Sequence, residues 1–369
     1  MMHNAMSMTA TGSRLDAPHG LQRDVVLAPW TTLGIGGPAR FFVSASTIDE
    51  LRDAVDWARG SGHPLFILGG GSNLLVSDEG FAGLVLHVAL RGIVVEGVDG
   101  TSATIRVAAG EPWERVVSMA VARAWAGIEC LSGIPGSTGA TPIQNVGAYG
   151  QDVSETIIRV EALELATGRI VTLTRDECRF GYRSSVFKGE AKGQFLVTAV
   201  TFRLRPGGEA AINYPELKTL LDENGVAASD LMRVRDAVIA IRKRKGMVLD
   251  RNDPDTRSDG SFFMNPIVDR NAFDVFLRRA TAFADGGKIP SFPAGDDIKL
   301  SAAWLIEHAG FQKGFVHGSV GLSSKHSLAI MNRGGGTARE VRELVSLIQN
   351  GVRERFGVEV LPEPNFIGF

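Results

Sequence analysis

The sequence predicts an α+β fold built from three successive units. Short apolar segments of strand length alternate with helices whose starts are marked by capping residues. Two such segments, Arg159–Leu165 and Ile170–Thr174, flank Ala166-Thr167-Gly168-Arg169, a hairpin signal. The chain closes with a long amphipathic helix that follows a run of three glycines. Residues 1–20 are expected as a disordered lead, and the units are expected at residues 21–90, 91–206 and 207–369.

In the first unit, Arg40–Ala45 reads as a strand. Thr47–Ala58 reads as a helix, with Thr47 and Glu50 as a capping box and Leu51, Ala54, Val55 and Ala58 on one face. Leu65–Leu68 and Leu84–Val88 complete a β-α-β-β order. In the second unit, strands are expected at Ile93–Glu96, Thr104–Ala108 and Phe195–Leu204, besides the hairpin. The helix Pro112–Ala124 opens on a proline, which fits a first turn, and should bury Trp113, Val116, Val117, Ala120 and Val121. Pro206-Gly207-Gly208 marks the next boundary. The third unit should contain helices around Leu231–Lys245, Ser301–His308 and Thr337–Phe356, with a strand at Ser327–Asn332. Thr337 and Glu340 form a second capping box ahead of the stripe Val341, Leu344, Val345, Ile348 and Val352.

The most informative segment is Ser132–Gly150, SGIPGSTGATPIQNVGAYG, with five glycines and two prolines. Glycine is too free and proline lacks a backbone donor, so this run forms no ordinary helix or strand. Its bare amides suit a place where main chain must touch a large ligand, especially a diphosphate. The alternative is a long surface loop. A second run of this kind, Gly69-Gly70-Gly71-Ser72-Asn73, follows the strand Leu65–Leu68, a recurring way to hold a nucleotide phosphate.

Composition narrows the class. Glycine stands out at 44 of 369 residues, clustered in loops without a repeat, which excludes a collagen-like chain. The net charge of −2 offers no basic field for nucleic acid or membrane. Cys130 and Cys178 lack metal-ligand spacing, and the seven histidines show no metal pattern. Two isolated thiols and no secretory signal suit a reducing cytosol, so a cytoplasmic enzyme without a membrane span is expected.

Four further segments could carry chemistry. Gly260-Ser261-Phe262-Phe263 sets a hydroxyl beside aromatic walls, where Ser261 could protonate a carbanion-like centre or simply cap a turn. Arg183 could clamp a carboxylate with its planar fork or remain a solvated charge. Glu363 lies between Pro362 and Pro364, which fix its backbone, although a tail glutamate is commonly exposed. The run Arg242-Lys243-Arg244-Lys245 ends a helix and either complements its dipole or meets an anion. His326, in Ser323-Ser324-Lys325-His326, reads as a structural loop residue.

Together these segments resemble the UDP-N-acetylenolpyruvoylglucosamine reductase family, flavoenzymes of peptidoglycan precursor synthesis. The resemblance rests on Thr31–Gly37 (TTLGIGG), Ile67–Leu75 (ILGGGSNLL), Ile134–Gly150, Arg179–Arg183 (RFGYR), Gly260–Pro266 (GSFFMNP), Lys299–Glu307 (KLSAAWLIE) and Leu361–Gly368 (LPEPNFIG), in the family's order. It implies a two-subdomain FAD-binding domain of the vanillyl-alcohol oxidase-like (PCMH-type) kind and a C-terminal α/β substrate-binding domain. It implies FAD along Thr32, Gly34, Ile35 and Gly36, then Gly69, Gly70, Gly71, Ser72 and Asn73. The long loop would contribute Ile134, Pro135, Gly136, Ser137, Gly139, Ala140, Gln144, Asn145, Gly147, Ala148 and Tyr149. Arg183, Ser261 and Glu363 match the family's catalytic residues. Tyr182, Tyr214, Lys245, Asn265 and Lys299 match substrate-contacting positions, Tyr214 on a mobile gating loop. The stretch between Lys245 and Ser261 is longer than in some members. The implied reaction uses NADPH and FAD to reduce the enolpyruvyl double bond of a UDP-sugar, and a monomer with no nucleic-acid, membrane or metal partner is expected.

Overall fold

The computed structural model describes residues 16–283 and 289–369. Of the expected disordered lead, residues 1–15 lie outside the described residues. The fold mixes sheets with helices that pack on their faces, as expected for an α+β protein.

The first sheet has the order Gln22–Val26, Pro38–Ala45, Phe81–Val88, Leu65–Leu68. Its three inner pairings mix one antiparallel and two parallel ladders. The helix Ile48–Gly60 covers one face, burying Leu51, Ala54, Val55, Trp57 and Ala58. Both arms of the Thr47/Glu50 capping box are made.

The second sheet is antiparallel, in the order Ile170–Thr174, Ile157–Glu164, Phe195–Pro206, Ala103–Ala108, Ile93–Val98. The expected hairpin is present, with its strands in register from Arg159–Thr174 to Leu163–Ile170. Helix Trp113–Ala122 buries all five residues assigned to its apolar face.

Two helices beyond residue 207 pack backwards. Pro215–Glu223 and Leu231–Arg244 bury Leu217, Leu221, Leu231, Val234, Val238 and Ile241 in the core of the second sheet. A separate core gathers Phe262, Phe263, Phe276 and the stripe of helix Ala338–Phe356 around Leu33, Ile35 and Leu75. The C-terminal segment therefore grips the N-terminal unit.

That grip is extended by the tail. Strand Asn365–Ile367 pairs in parallel with Leu74–Val76, the residues that leave the first glycine run. Several elements differ from expectation, among them helix Pro215–Glu223 and strands Gln22–Val26, Leu74–Val76 and Asn365–Ile367, which are additional. The strand expected at Ser327–Asn332 shrinks to Ile330–Asn332, because the Ala329 amide turns back to the His326 carbonyl and the Leu328 carbonyl accepts from Phe262. Helix Arg270–Ala280, capped by Asp269, and the hairpin Ser291–Ala294/Asp297–Leu300 are additional. The helix is arginine-rich and fully buries only Phe276 and Ala280, so its apolar period is faint.

Candidate functional site

The two glycine runs meet backbone to backbone. A Cβ on Gly70 would stand 2.6 Å from the Gly136 Cα, so neither chain tolerates a side chain between them. Gly71 has φ +62°, and a Cβ there would lie 1.8 Å from the Trp30 carbonyl oxygen. The Ser72 hydroxyl closes the junction by donating to the Pro135 carbonyl at 3.1 Å. The result is the wall of a cavity of about 830 Å³ whose lining is largely main chain and apolar carbon. Such a trough fits a long ligand bearing a diphosphate and a flat ring system.

Arg183, Ser261 and Glu363 all line this cavity. Arg183 adopts a left-handed backbone, φ 51°, as do Asn145 and Tyr149 nearby. Strain of this kind costs on the order of 1–3 kcal/mol per residue and gathers at functional sites. The Arg183 guanidinium donates to the Gly147 carbonyl at 2.7 Å and lies 3.4 Å from Glu363 Oε1. Gln144 Nε2 donates to the same carboxylate oxygen at 3.0 Å, and Asn73 Nδ2 donates to Gln144 Oε1 at 2.7 Å. A chain of polar contacts thus runs from the first glycine run, through the second, to Glu363.

Glu363 is no loose tail residue. Its side chain is 14% exposed. Its amide donates to the Phe262 carbonyl at 2.8 Å, and Met264 donates to Leu361 at 2.9 Å. These bonds pair the Leu361–Glu363 segment with the one bearing Ser261. Burial raises the Glu363 carboxyl above its ordinary range, while Arg183, Lys188 and Gln144 pull it down.

Ser261 has a partner that the sequence did not reveal. Its Oγ lies 3.2 Å from His326 Nε2. Burial holds the His326 imidazole down at about 4, with Lys245, Lys313 and Arg242 adding to the effect. The pattern Lys325-His326 next to a strand is too common to mark such a residue beforehand.

Also lining the cavity, Lys245 has its Nζ 5.9 Å from the Tyr149 ring centroid and 5.8 Å from that of Tyr214. The two rings meet edge to face, and Lys245 pairs with Glu216 at 2.6 Å. Arg242 is buried beside them and donates to the Met247 carbonyl at 2.9 Å.

Not every expected residue reaches the cavity lining. Thr32, Gly34, Ile35 and Gly36 stand behind the wall. Ile35 is core, the Gly34 carbonyl accepts from Asn332, and a Cβ on Gly36 would press on Val76 at 2.9 Å. Asn145 also sits behind the lining, bonded to the Gly181 carbonyl and the Ser154 amide. Tyr182, Asn265 and Lys299 group beside Arg183, whose guanidinium lies 5.5 Å from the Tyr182 ring centroid. Lys299 Nζ lies 5.0 Å over the Tyr182 ring, and Asn265 Oδ1 accepts from the Ala302 amide.

Thr32 has a further role. Its hydroxyl donates to Asp259 Oδ1 at 3.0 Å, while Asp259 Oδ2 has no partner and is sealed from solvent. Burial pushes this carboxyl up to about 7, against the opposing pull of the Thr32 and Leu74 hydrogen bonds. The folded chain holds the proton more tightly than the unfolded chain. The benefit is complete below the ordinary carboxylate range and is lost as pH rises through about 7. Asp259→Asn keeps the acceptor for Thr32 and cannot ionise. Its melting temperature should gain on the wild type as pH rises from about 5 to about 8. A difference independent of pH would show that Asp259 does not titrate there.

Among the described residues, no group of His, Cys, Asp and Glu could hold a metal ion, and no helix is long and apolar enough to cross a membrane. Burial pushes both free thiols, Cys130 and Cys178, up to about 12, which makes them poor nucleophiles.

The glycine-walled trough and its polar end define a flavin-binding oxidoreductase. An FAD binding domain family model matches residues 39–174, and the C-terminal domain model of UDP-N-acetylenolpyruvoylglucosamine reductase matches residues 253–367. The reductase of Thermobifida fusca is 47% identical over 352 residues, covering 94% of this chain and 98% of that one. That of Saccharopolyspora erythraea is 46% identical, covering 92% and 93%. The crystal structure of the Thermus caldophilus reductase aligns with TM-score 0.64 and 25% identity, over 94% and 98% of the two chains. The chain belongs to the UDP-N-acetylenolpyruvoylglucosamine reductase family.

Proposed function

We propose that this enzyme uses NADPH to reduce the enolpyruvyl group of UDP-N-acetylglucosamine enolpyruvate, giving UDP-N-acetylmuramate. One observation carries the reading: Arg183, Ser261 and Glu363, from three distant parts of the chain, converge on one end of a glycine-walled cavity. The backbone-to-backbone contact of Gly70 and Gly136, both lining that cavity, supports FAD there, since only main chain stands between a ligand and the wall at that point. Bound FAD supplies two-electron chemistry that carries hydride from NADPH to the substrate's methylene carbon.

The protein's own residues handle the charge that follows. Addition of hydride leaves negative charge on the carbon beside the carboxylate and on its oxygens. Arg183, already held by the Gly147 carbonyl, presents its guanidinium to that charge without reorganising. Glu363, whose carboxyl burial raises above its ordinary range, stands on the same side to add a hydrogen bond. The Ser261 hydroxyl gives its proton to the carbon, completing the lactyl ether. Lys245, Arg242, Tyr149 and Tyr214, which line the same cavity, suit the diphosphate of the UDP group. Tyr182, Asn265 and Lys299 serve the substrate beside Arg183.

We draw the substrate domain from near residue 253 rather than residue 207, since the two preceding helices belong to the second sheet's core. Residues 21–90 and 91–252 then make the two flavin subdomains, the second ending later than residue 206. A cytoplasmic monomer completes the proposal.

The first test is spectroscopic. The purified protein should be yellow, acid should release all the colour into the supernatant, NADPH should bleach it, and enolpyruvyl substrate should restore it anaerobically. Bleaching without substrate-dependent return would overturn the reading in favour of another FAD oxidoreductase. A second test addresses Arg183. Arg183→Lys keeps the charge and loses the fork, so the substrate half-reaction should slow on the order of 10²-fold, as for loss of one oxyanion donor. Near-normal turnover would show that only a positive charge is needed.

A further inference from the structure

We infer that His326 is the residue that aims the Ser261 proton at the substrate and supports the serine oxygen as the proton leaves. The inference rests on the proposed reaction and on four observations. Ser261 Oγ and His326 Nε2 are 3.2 Å apart, at the edge of the same cavity. Both residues sit on fixed backbone: Phe262 donates to the Leu328 carbonyl at 2.7 Å, tying the two segments together one and two residues away. The turn that carries His326 is pinned from outside, because Ser324 donates twice to Asp255 and Lys325 pairs with Asp253 at 2.5 Å. The long stretch between Lys245 and Ser261, which supplies both aspartates, thereby acts as a brace for this histidine.

The fourth observation is charge. The imidazole is partly buried, and desolvation, Lys245, Lys313 and Arg242 disfavour its cation while Glu216 opposes them. It is therefore neutral and carries a single N–H. With that hydrogen on Nε2, the imidazole donates to Ser261 Oγ, and the serine hydrogen is left free to point into the cavity. A bare serine alkoxide in a partly desolvated site is costly. The Nε2–H hydrogen bond offsets that cost as the O–H bond breaks and the new C–H bond forms. A neutral imidazole cannot give up its only proton without becoming an anion. The alkoxide is restored when a water proton is taken up at Nδ1 as the Nε2 proton passes to Oγ, leaving a neutral serine, the other tautomer of a neutral histidine and hydroxide for the solvent. His326 is thus a positioning residue that acts through Ser261.

The test uses the FAD-loaded full-length enzyme and follows each half-reaction by flavin absorbance. His326→Gln places an amide N–H near the Nε2 position, whereas His326→Phe fills the space without a donor. The phenylalanine variant should slow substrate-dependent flavin reoxidation by about 10²-fold and leave reduction by NADPH unchanged. The glutamine variant should recover most of that loss. In a Ser261→Ala background, His326→Phe should cause little further loss, because the two residues act as one unit. Additive losses, or equal rates in the phenylalanine and glutamine variants, would overturn the inference. The proposed reaction itself fails separately, if Ser261→Ala alone leaves substrate-dependent reoxidation intact. A phenylalanine variant that does not fold would show by losing FAD, and His326→Leu in the same comparison then decides.

Discussion

Ser261→Ala should leave reduction of bound FAD by NADPH nearly unchanged and slow reoxidation by the enolpyruvyl substrate by roughly 10²–10⁴-fold, the range for losing a positioned proton donor. The split follows from where Ser261 sits. It belongs to the C-terminal segment, and its side-chain partner is His326 rather than either glycine run. The backbone contact between Gly70 and Gly136 does not depend on its hydroxyl. The backbone around it is held by Phe262 and Met264, whose hydrogen bonds an alanine at 261 does not touch. Anaerobic stopped-flow measurement of both half-reactions checks this. Equal slowing of the two would assign Ser261 a structural role.

Much of this site was legible in the sequence because its determinants are local. Glycine-rich runs after strands, capping boxes and a proline-flanked glutamate each state their constraint within a few residues. The same locality explains what stayed hidden. The Ser261–His326 contact spans 65 positions and exists only because Phe262 pairs with Leu328. Asp259 reads as an ordinary turn residue until Thr32 and Leu74 enclose it. The TTLGIGG segment was legible as important, while its packing was not. Its Ile35 joins the C-terminal core and its Gly36 packs on Val76, so it shapes the wall from behind. Helices Pro215–Glu223 and Leu231–Arg244 follow an apparent boundary at Gly207, yet their apolar faces fit the preceding sheet. Apolar period identifies a buried face without saying which core buries it.

Glu363→Gln should retain FAD content and NADPH-dependent reduction while the substrate half-reaction falls by about 10²-fold or more. The substitution is close to isosteric. Gln144 can still donate to the amide oxygen, and the main-chain bond from residue 363 to Phe262 is unaffected. What disappears is a titratable proton in a site where burial raises the carboxyl above its ordinary range. That direction fixes the sign of the pH dependence. If the protonated carboxyl is the working form, wild-type reoxidation declines as pH rises through the raised value, and the glutamine variant loses that limb of the profile. Truncation after Leu361 is a poorer test than it first looks. It also removes Asn365–Ile367, which pair with Leu74–Val76, and Phe366, which packs edge-on against Phe262. Such a variant should lose FAD for structural reasons alone. The point substitution separates the two roles of the tail. Full activity in Glu363→Gln with an unchanged pH profile would leave Arg183 and Ser261 as the working pair and reduce Glu363 to a strut for Gln144 and Arg183.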